Sequence, residues 1–276
     1  MRIVIIFLSA VAVYVGIVIY VNSTPPYERE VRDWYDLQAV RYHLDEDFIL
    51  MNDLDSTTAG YTGLASPTAN RGKGWQPIGT ALEPFAGNFD GQGYEISDLF
   101  IDRPDEWDWN IGLFGYVYIK GTIKNVGVVN ASIVGWWCVG GLVGNNWGTV
   151  SNSYSTGSVT GLKYAGGLVG CNSFGTVTKS YSTSNVTGTH HSGGLVGLLY
   201  GGTVNNDAFW DTETSGMEVS YGGIGKNTTE MQDITTFSSA GWDIIAVANP
   251  STRNPSYIWN IVDDETYPFL SRKPVS

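Results

Sequence analysis

The stretch "GTVSNSYSTGSVTGLKYAGGLVG", residues 148–170, is followed at 175–197 by "GTVTKSYSTSNVTGTHHSGGLVG". The second copy repeats the residue types of the first, 27 positions later. Working outward, Gly-Thr followed by a β-branched residue begins at 121, 148, 175 and 202, each 27 residues after the last. "GLVG" occurs at 141–144, 167–170 and 194–197, with a variant, "IGLFG", at 111–115. A catalytic loop is needed once, whereas a fixed period of 20 to 50 residues marks a repeat architecture.

Each unit holds three β-favouring runs parted by glycine, "TVSNSYS", "SVTG" and "GGLVG" in the copy at 148–170. None shows a 3.6-residue apolar period over ten residues, which excludes helical solenoids. A propeller blade needs four strands and about 40 residues. Three strands per 27 residues suit one coil of a parallel β-helix, so the predicted class is all-β, a β-solenoid of 27 residues per coil. Equivalent residues then stack at the inter-strand spacing, roughly 4.8 Å. This predicts one core ladder of Leu113, Leu142, Leu168 and Leu195 and another of Ile123, Val150, Val177 and Val204. Asn125, Asn152 and Asn206 share a phase and suggest an amide ladder, interrupted by Lys179. Cys138 and Cys171 fall at different phases of the coil, which predicts two unpaired thiols.

"GLVG" with "GTV…YST" between its copies resembles the GLUG-motif repeat of bacterial and archaeal surface proteins. That family includes adhesins and the non-catalytic part of some immunoglobulin A1-specific metalloproteases. Upstream "WQPIGT…PFAGNFDGQGYEISDLFI" and downstream "FWDTETSG…WNIVDDETYPFL" resemble the segments that flank such repeats. The resemblance implies a parallel β-helix at the cell surface and carries no enzymatic activity with it. The zinc signature H-E-x-x-H of the proteases is absent from this chain.

The apolar run 3–21 carries no charge and, as a helix, spans about 28 Å, close to a bilayer core. It reads as a transmembrane anchor, with a cleaved signal as the alternative, and either places the remainder outside the cytoplasm. The expected organisation is 1–22 anchor or signal, 23–120 amino-terminal cap and first coils, 121–210 GLUG-type repeats, and 211–276 carboxy-terminal cap. Trp34, Leu37, Val40 and Leu44 have helical spacing within 31–44, and 228–242 suggests a second short helix. The chain carries a net charge of −12. Its acids fall outside 121–206, a span with no Asp or Glu. Acidic ends would discourage stacking of one solenoid on another.

Acidity without clustered Lys and Arg argues against nucleic acid as a partner. Glycoside hydrolysis ordinarily needs two carboxyl groups across the scissile bond, and the repeats supply none. No catalytic residue, metal ligand or cofactor is assigned. Ca²⁺ at the acid-rich loops 102–110 and 262–268 is the one cation considered, although neither matches an ordered calcium loop. His190-His191 alternate in direction on a strand and have no third ligand in phase, so they read as a surface turn. Asn22, Asn130, Asn185 and Asn227 begin N-x-[ST] sequons.

Binding residues are read from the turns. Stacked coils bring Trp137, Lys163 and His190 into one column and Cys138, Tyr164 and His191 into the next, with Trp136 alongside. A second turn stacks Tyr118, Trp147, Phe174 and Tyr200. Aromatic rows with polar handles suit sugars; their other role is to shield and stiffen the coil. Three functions follow: a surface adhesion or recognition module with a glycan or protein ligand, a passive envelope or filament component, or a polysaccharide-degrading enzyme with its site in a cap. Oligomeric state is not legible.

Overall fold

A computed structural model describes residues 29–105 and 107–272. The chain is mostly β, with few and short helices; most of its strands form three walls of successive coils, and Ile244–Ala246, Trp259–Ile261 and Phe269–Leu270 make a separate small sheet. The first wall has seven parallel strands: Arg29–Val31, Phe48–Leu50, Asn88–Asp90, Thr122–Lys124, Thr149–Ser151, Thr176–Thr178 and Thr203–Val204. The second is built on Gly127–Gly140 and Tyr154–Gly166, continued by Tyr181–Ser182 and Asn185–His190. On its other side, Glu95–Ser97, Phe100–Arg103 and Trp109–Ile111 pair with Gly127–Gly140. The third wall stacks Phe114–Val117, Val143–Asn146, Val169–Ser173 and Val196–Tyr200, again in parallel.

Both aliphatic ladders are present. Leu113, Leu142, Leu168 and Leu195 are fully buried. Ile123, Val150 and Val177 are also buried and stay in register, with half-buried Val204 ending the row. The same row extends back through Phe89 to Phe48, where longer insertions hide the period.

The corners show why these sequences bend where they do. Asn125, Asn152 and Lys179 close the first wall in the left-handed region, with φ of 54°, 46° and 45°. The asparagines expected to form an amide ladder are therefore turn residues, a conformation that Asn tolerates well. Asn125 donates from Nδ2 to Asp90 Oδ1 at 2.9 Å, and Lys179 donates its N–H to Asp207 Oδ1 at 3.0 Å. The buried amide ladder lies on the third wall instead. Asn146 Nδ2 donates to Asn172 Oδ1 at 2.8 Å, and Asn172 Nδ2 donates to the carbonyls of Gly175 and Thr203.

"GGLVG" forms the corner between the second and third walls rather than one wall. Gly144, Gly170 and Gly197 lie so close to the preceding coil that an added Cβ would collide with the backbone at Asn110–Ile111, Cys138–Val139 and Tyr164–Ala165 respectively. This pinch overturns the expectation of free thiols: Cys138 and Cys171 form a disulfide with Cα atoms 5.2 Å apart. The two phases differ along the chain but meet across the corner, because glycine lets the backbones approach.

Asp33 caps the helix Trp34–Ala39 by accepting from the N–H groups of Tyr35 and Asp36. The helix buries Trp34 and Leu37, with the Trp34 ring 5.7 Å from Trp75. In the other expected helical segment, Thr228–Gln232 and Ile234–Ser239 are helical. Residues 219–221 cross the last coil, where Tyr221 donates its N–H to the Val196 carbonyl. Beyond them, the chain runs along the flank rather than over the end. The reason is a pair of outward rings, Tyr154 and Tyr181, stacked at 5.1 Å and 2°. With Phe209 they need apolar cover, and Trp242, Trp259, Ile261 and Leu270 provide it. Tyr181 Oη donates to the Pro268 carbonyl at 2.6 Å. Ion pairs Arg253–Glu95 and Arg272–Asp53 tie this flank to the first coils.

The expected anchor at 3–21 lies outside the described residues. Among the described residues no helix is long and apolar enough to cross a membrane.

Candidate functional site

Near the ends of the second-wall strands stand residues in the left-handed region, Asn110, Cys138, Tyr164 and His191, with φ of 50° to 61°. One residue earlier, Trp109, Trp137, Lys163 and His190 occupy a single register row. The two expected columns merge into one ridge. Trp109 stacks on Trp137 at 5.7 Å and 24°, and Trp137 meets the edge of Tyr164 at 4.9 Å and 80°. Tyr164 then meets His191 at 5.7 Å, and His191 meets Tyr221 at 5.6 Å. His191 Nδ1 and Tyr221 Oη share a hydrogen bond of 2.6 Å. Lys163 Nζ sits 4.7 Å from the Trp137 ring centre, a cation–π contact. The ridge is thus four coils long, half-exposed, and carries one cation.

Trp136 is not on the ridge. It lines a separate groove of about 300 Å³ over the glycine row Gly135, Gly161 and Gly188, bordered by Leu162, Thr160 and Thr187. The second expected row is present with one change, since Tyr116 rather than Tyr118 packs on Trp147, at 6.1 Å. Trp147 meets Phe174 at 5.0 Å, and Phe174 meets Tyr200 edge-on at 5.4 Å. Tyr118 and Trp147 hold equivalent places on adjacent coils, each following the registered pair Val117 and Asn146, but the indole packs on Tyr116, two residues before Tyr118.

Sequence reading missed a cleft at the amino-terminal end of the ridge. Two loops form it, 76–82 and 103–111, around a volume of about 530 Å³. Trp109 lines both ridge and cleft. The signal was present in "EWDWN" at 106–110, but acidic neighbours drew attention to Ca²⁺ instead. In the structure two of those acids are committed: Lys73 Nζ reaches Asp105 at 3.0 Å and Asp108 at 3.1 Å. The two carboxylates hold the Lys73 ammonium above its ordinary pKa. In the other acidic loop, Asp263 accepts from the N–H of Ile234 at a helix start, at 2.8 Å.

Among the described residues no three His, Cys, Asp or Glu gather into a cation site. His190 lies beside Lys163, and His191 is engaged by Tyr221. The carboxyl groups with displaced pKa values are all shifted downward. Glu46 is lowered mainly by its bond from Arg29, Asp55 by Thr57, Glu230 by Lys226 and Asp233 by the Thr235 N–H. A general acid requires the opposite shift.

Comparison with known proteins agrees with the repeat. Residues 137–160 and 161–187 match the GLUG motif. Halomucin of Haloquadratum walsbyi is 37% identical over 164 residues, which is 58% of this chain and 2% of that protein. A Gly-rich membrane protein of Evansella cellulosilytica is 37% identical over 121 residues, 42% of this chain and 13% of that one. The chain therefore spans a small fraction of the length of either relative. In three dimensions, an immunoglobulin A1 protease-like protein from Bacteroides ovatus, solved at 1.30 Å, aligns with a TM-score of 0.53. That alignment covers 88% of this chain and 92% of the other at 16% identity, which speaks to fold alone. The resemblance read from the repeat holds: residues 137–187 of this chain carry the GLUG motif.

Proposed function

We propose that the chain is a parallel β-helix acting outside the cytoplasm as a non-catalytic adhesion or recognition module. Its partner is a surface glycan or protein, and the apolar run 3–21 ties it to the membrane. The observation that carries this reading is the ridge from Trp109 through Trp137, Tyr164 and His191 to Tyr221, flanked by Lys163. Rings lined up on a rigid wall offer large contact area at low conformational cost. Location outside the cytoplasm is supported by the Cys138–Cys171 disulfide, since such bonds persist in oxidising compartments. The membrane-protein description of one relative points the same way.

The test is an adhesion assay with cells displaying the full chain, compared with cells displaying Trp137→Ala at equal surface density. Attachment to a glycan- or protein-coated surface that drops in the variant supports the reading. Equal attachment of both, or none by either, removes the ridge from it. A passive envelope role draws on one specific feature, the ring-on-ring packing of the ridge, which stiffens the wall. That role is what remains if the native chain binds nothing.

A further inference from the structure

The cleft between residues 76–82 and the segment of Arg103 and Trp107–Ile111 is a pocket with exposed apolar side chains at its rim. Its floor is fixed. Ile78 donates its N–H to the Leu113 carbonyl, and Gly115 donates back to Ile78. Gly79, at φ +78°, lies against the Tyr116 carbonyl. Arg41 packs over the Trp75 ring at 4.2 Å and donates to the Gln76 carbonyl. From this fixed base the loop 79–85 projects and leaves Leu82 93% exposed at its tip. Across the opening, Trp107 is 83% exposed and Trp109 56%. Three large apolar side chains around one cleft leave much apolar surface in water, which folding does not favour.

Charge narrows the occupant. The cations at the cleft are engaged: Lys73 with Asp105 and Asp108, and Arg103 with Asp108 at 3.9 Å and the Trp75 carbonyl at 3.2 Å. Asp108, lining the cleft, is flanked by both cations. Among the described residues at the cleft, these cations are each paired with a carboxylate, and the chain's overall −12 disfavours acidic ligands. Beside the indoles lie the neutral polar residues Gln76, Thr80 and Asn110. Flat apolar faces with a few neutral hydrogen-bonding groups, in a cleft within the usual 300–1,000 Å³ range for small ligands, match a pyranose ring.

We propose that this cleft binds one or two uncharged pyranose units of a glycan, with Trp107 as the principal contact. The proposal rests on the surface-recognition reading and adds a place and a ligand class to it; an exposed aromatic or aliphatic peptide side chain is the competing occupant.

The test uses the full chain, purified in a detergent without a sugar headgroup, in saturation-transfer NMR. The probes are the methyl glycosides of glucose, galactose, mannose and N-acetylglucosamine, with methyl glucuronide as the charged control. Trp107→Ala tests the cleft, Tyr164→Ala tests the ridge, and Tyr35→Ala, which removes an exposed ring belonging to neither, is the control. Unchanged thermal unfolding of Trp107→Ala is expected from its exposure and shows that the variant is folded. The expected result is transfer to at least one neutral glycoside, weakened roughly tenfold or more in Trp107→Ala, as for an aromatic anchor, and retained in Tyr35→Ala. Transfer retained in Trp107→Ala and lost in Tyr164→Ala would overturn the cleft while leaving ridge recognition standing. Preference for the glucuronide would overturn the neutral class. Absence of transfer from every glycoside would overturn the proposal outright, and the ridge would then be judged by the adhesion assay alone.

Discussion

Cys138 and Cys171 are 33 residues apart in sequence and joined by a disulfide across the corner of adjacent coils, their Cα atoms 5.2 Å apart. Cys138 lies two residues before the end of the second-wall strand Gly127–Gly140, and Cys171 sits in the third wall of the next coil, paired with Asn145 and Leu198. The bond therefore fastens two coils at the place where glycine allows the closest backbone approach.

Removing that fastening is expected to loosen the whole stack. Cys138→Ser with Cys171→Ser should cost about 2–4 kcal/mol, read as a lower urea midpoint. Reductant should produce the same shift in the native chain and none in the double variant. An unchanged midpoint under reductant would contradict the fastening role.

Gly170 provides a sharper local test. An added Cβ would strike the carbonyl carbon of Cys138 and the nitrogen of Val139, both backbone atoms that cannot step aside. Gly170→Ala should destabilise by about 2 kcal/mol or more, in the range of overpacking costs. Gly63→Ala, where nothing lies within 4 Å of an added Cβ, should be neutral or slightly stabilising because Gly63 is helical. Similar urea midpoints for the two variants would contradict the pinched corner.

The buried amides make a third test. Asn172→Ala removes the acceptor of Asn146 and the donor to two carbonyls, Gly175 and Thr203. Leaving these groups unsatisfied should cost about 1–3 kcal/mol. Hydrogen exchange should rise first in the third wall, and equal protection in the variant would speak against the ladder.

Alkaline pH should unfold the chain from the flank. Burial raises Tyr154 and Tyr181 well above the ordinary tyrosine value of 10.0. Burial, and then its bond to Asp211, raise Tyr267 to about 12. The folded chain keeps these protons where the unfolded chain releases them, so stability is fully present below pH 10 and falls as pH rises towards 12 and beyond. Phenolate absorbance should show these tyrosines ionising only together with unfolding. Early ionisation with the fold intact would contradict their burial.

The repeat was legible because each coil solves the same packing problem with the same residues, so Leu142, Leu168 and Leu195 recur in phase. Earlier coils were not, because insertions before Phe89 and Ile123 stretch the spacing while the register continues. Phase around one coil locates stacking neighbours well. It says little about residues that meet across a corner, and for that reason Cys138 and Cys171 were misread. Asn146 and Asn172 escaped notice because a buried amide looks like any turn residue until its partners are placed. The aromatic turns were visible, but Trp107 and Trp109 lie before the regular repeats and among acids, where no period singles them out.

Binding of the full chain to an oligosaccharide array, with Trp137→Ala beside it, tests the central claim most directly. The account expects the native chain to retain at least one oligosaccharide intact, with the signal lost or sharply weakened in Trp137→Ala. Undiminished binding by the variant, or no binding by the native chain to any oligosaccharide, would contradict glycan recognition by the aromatic ridge.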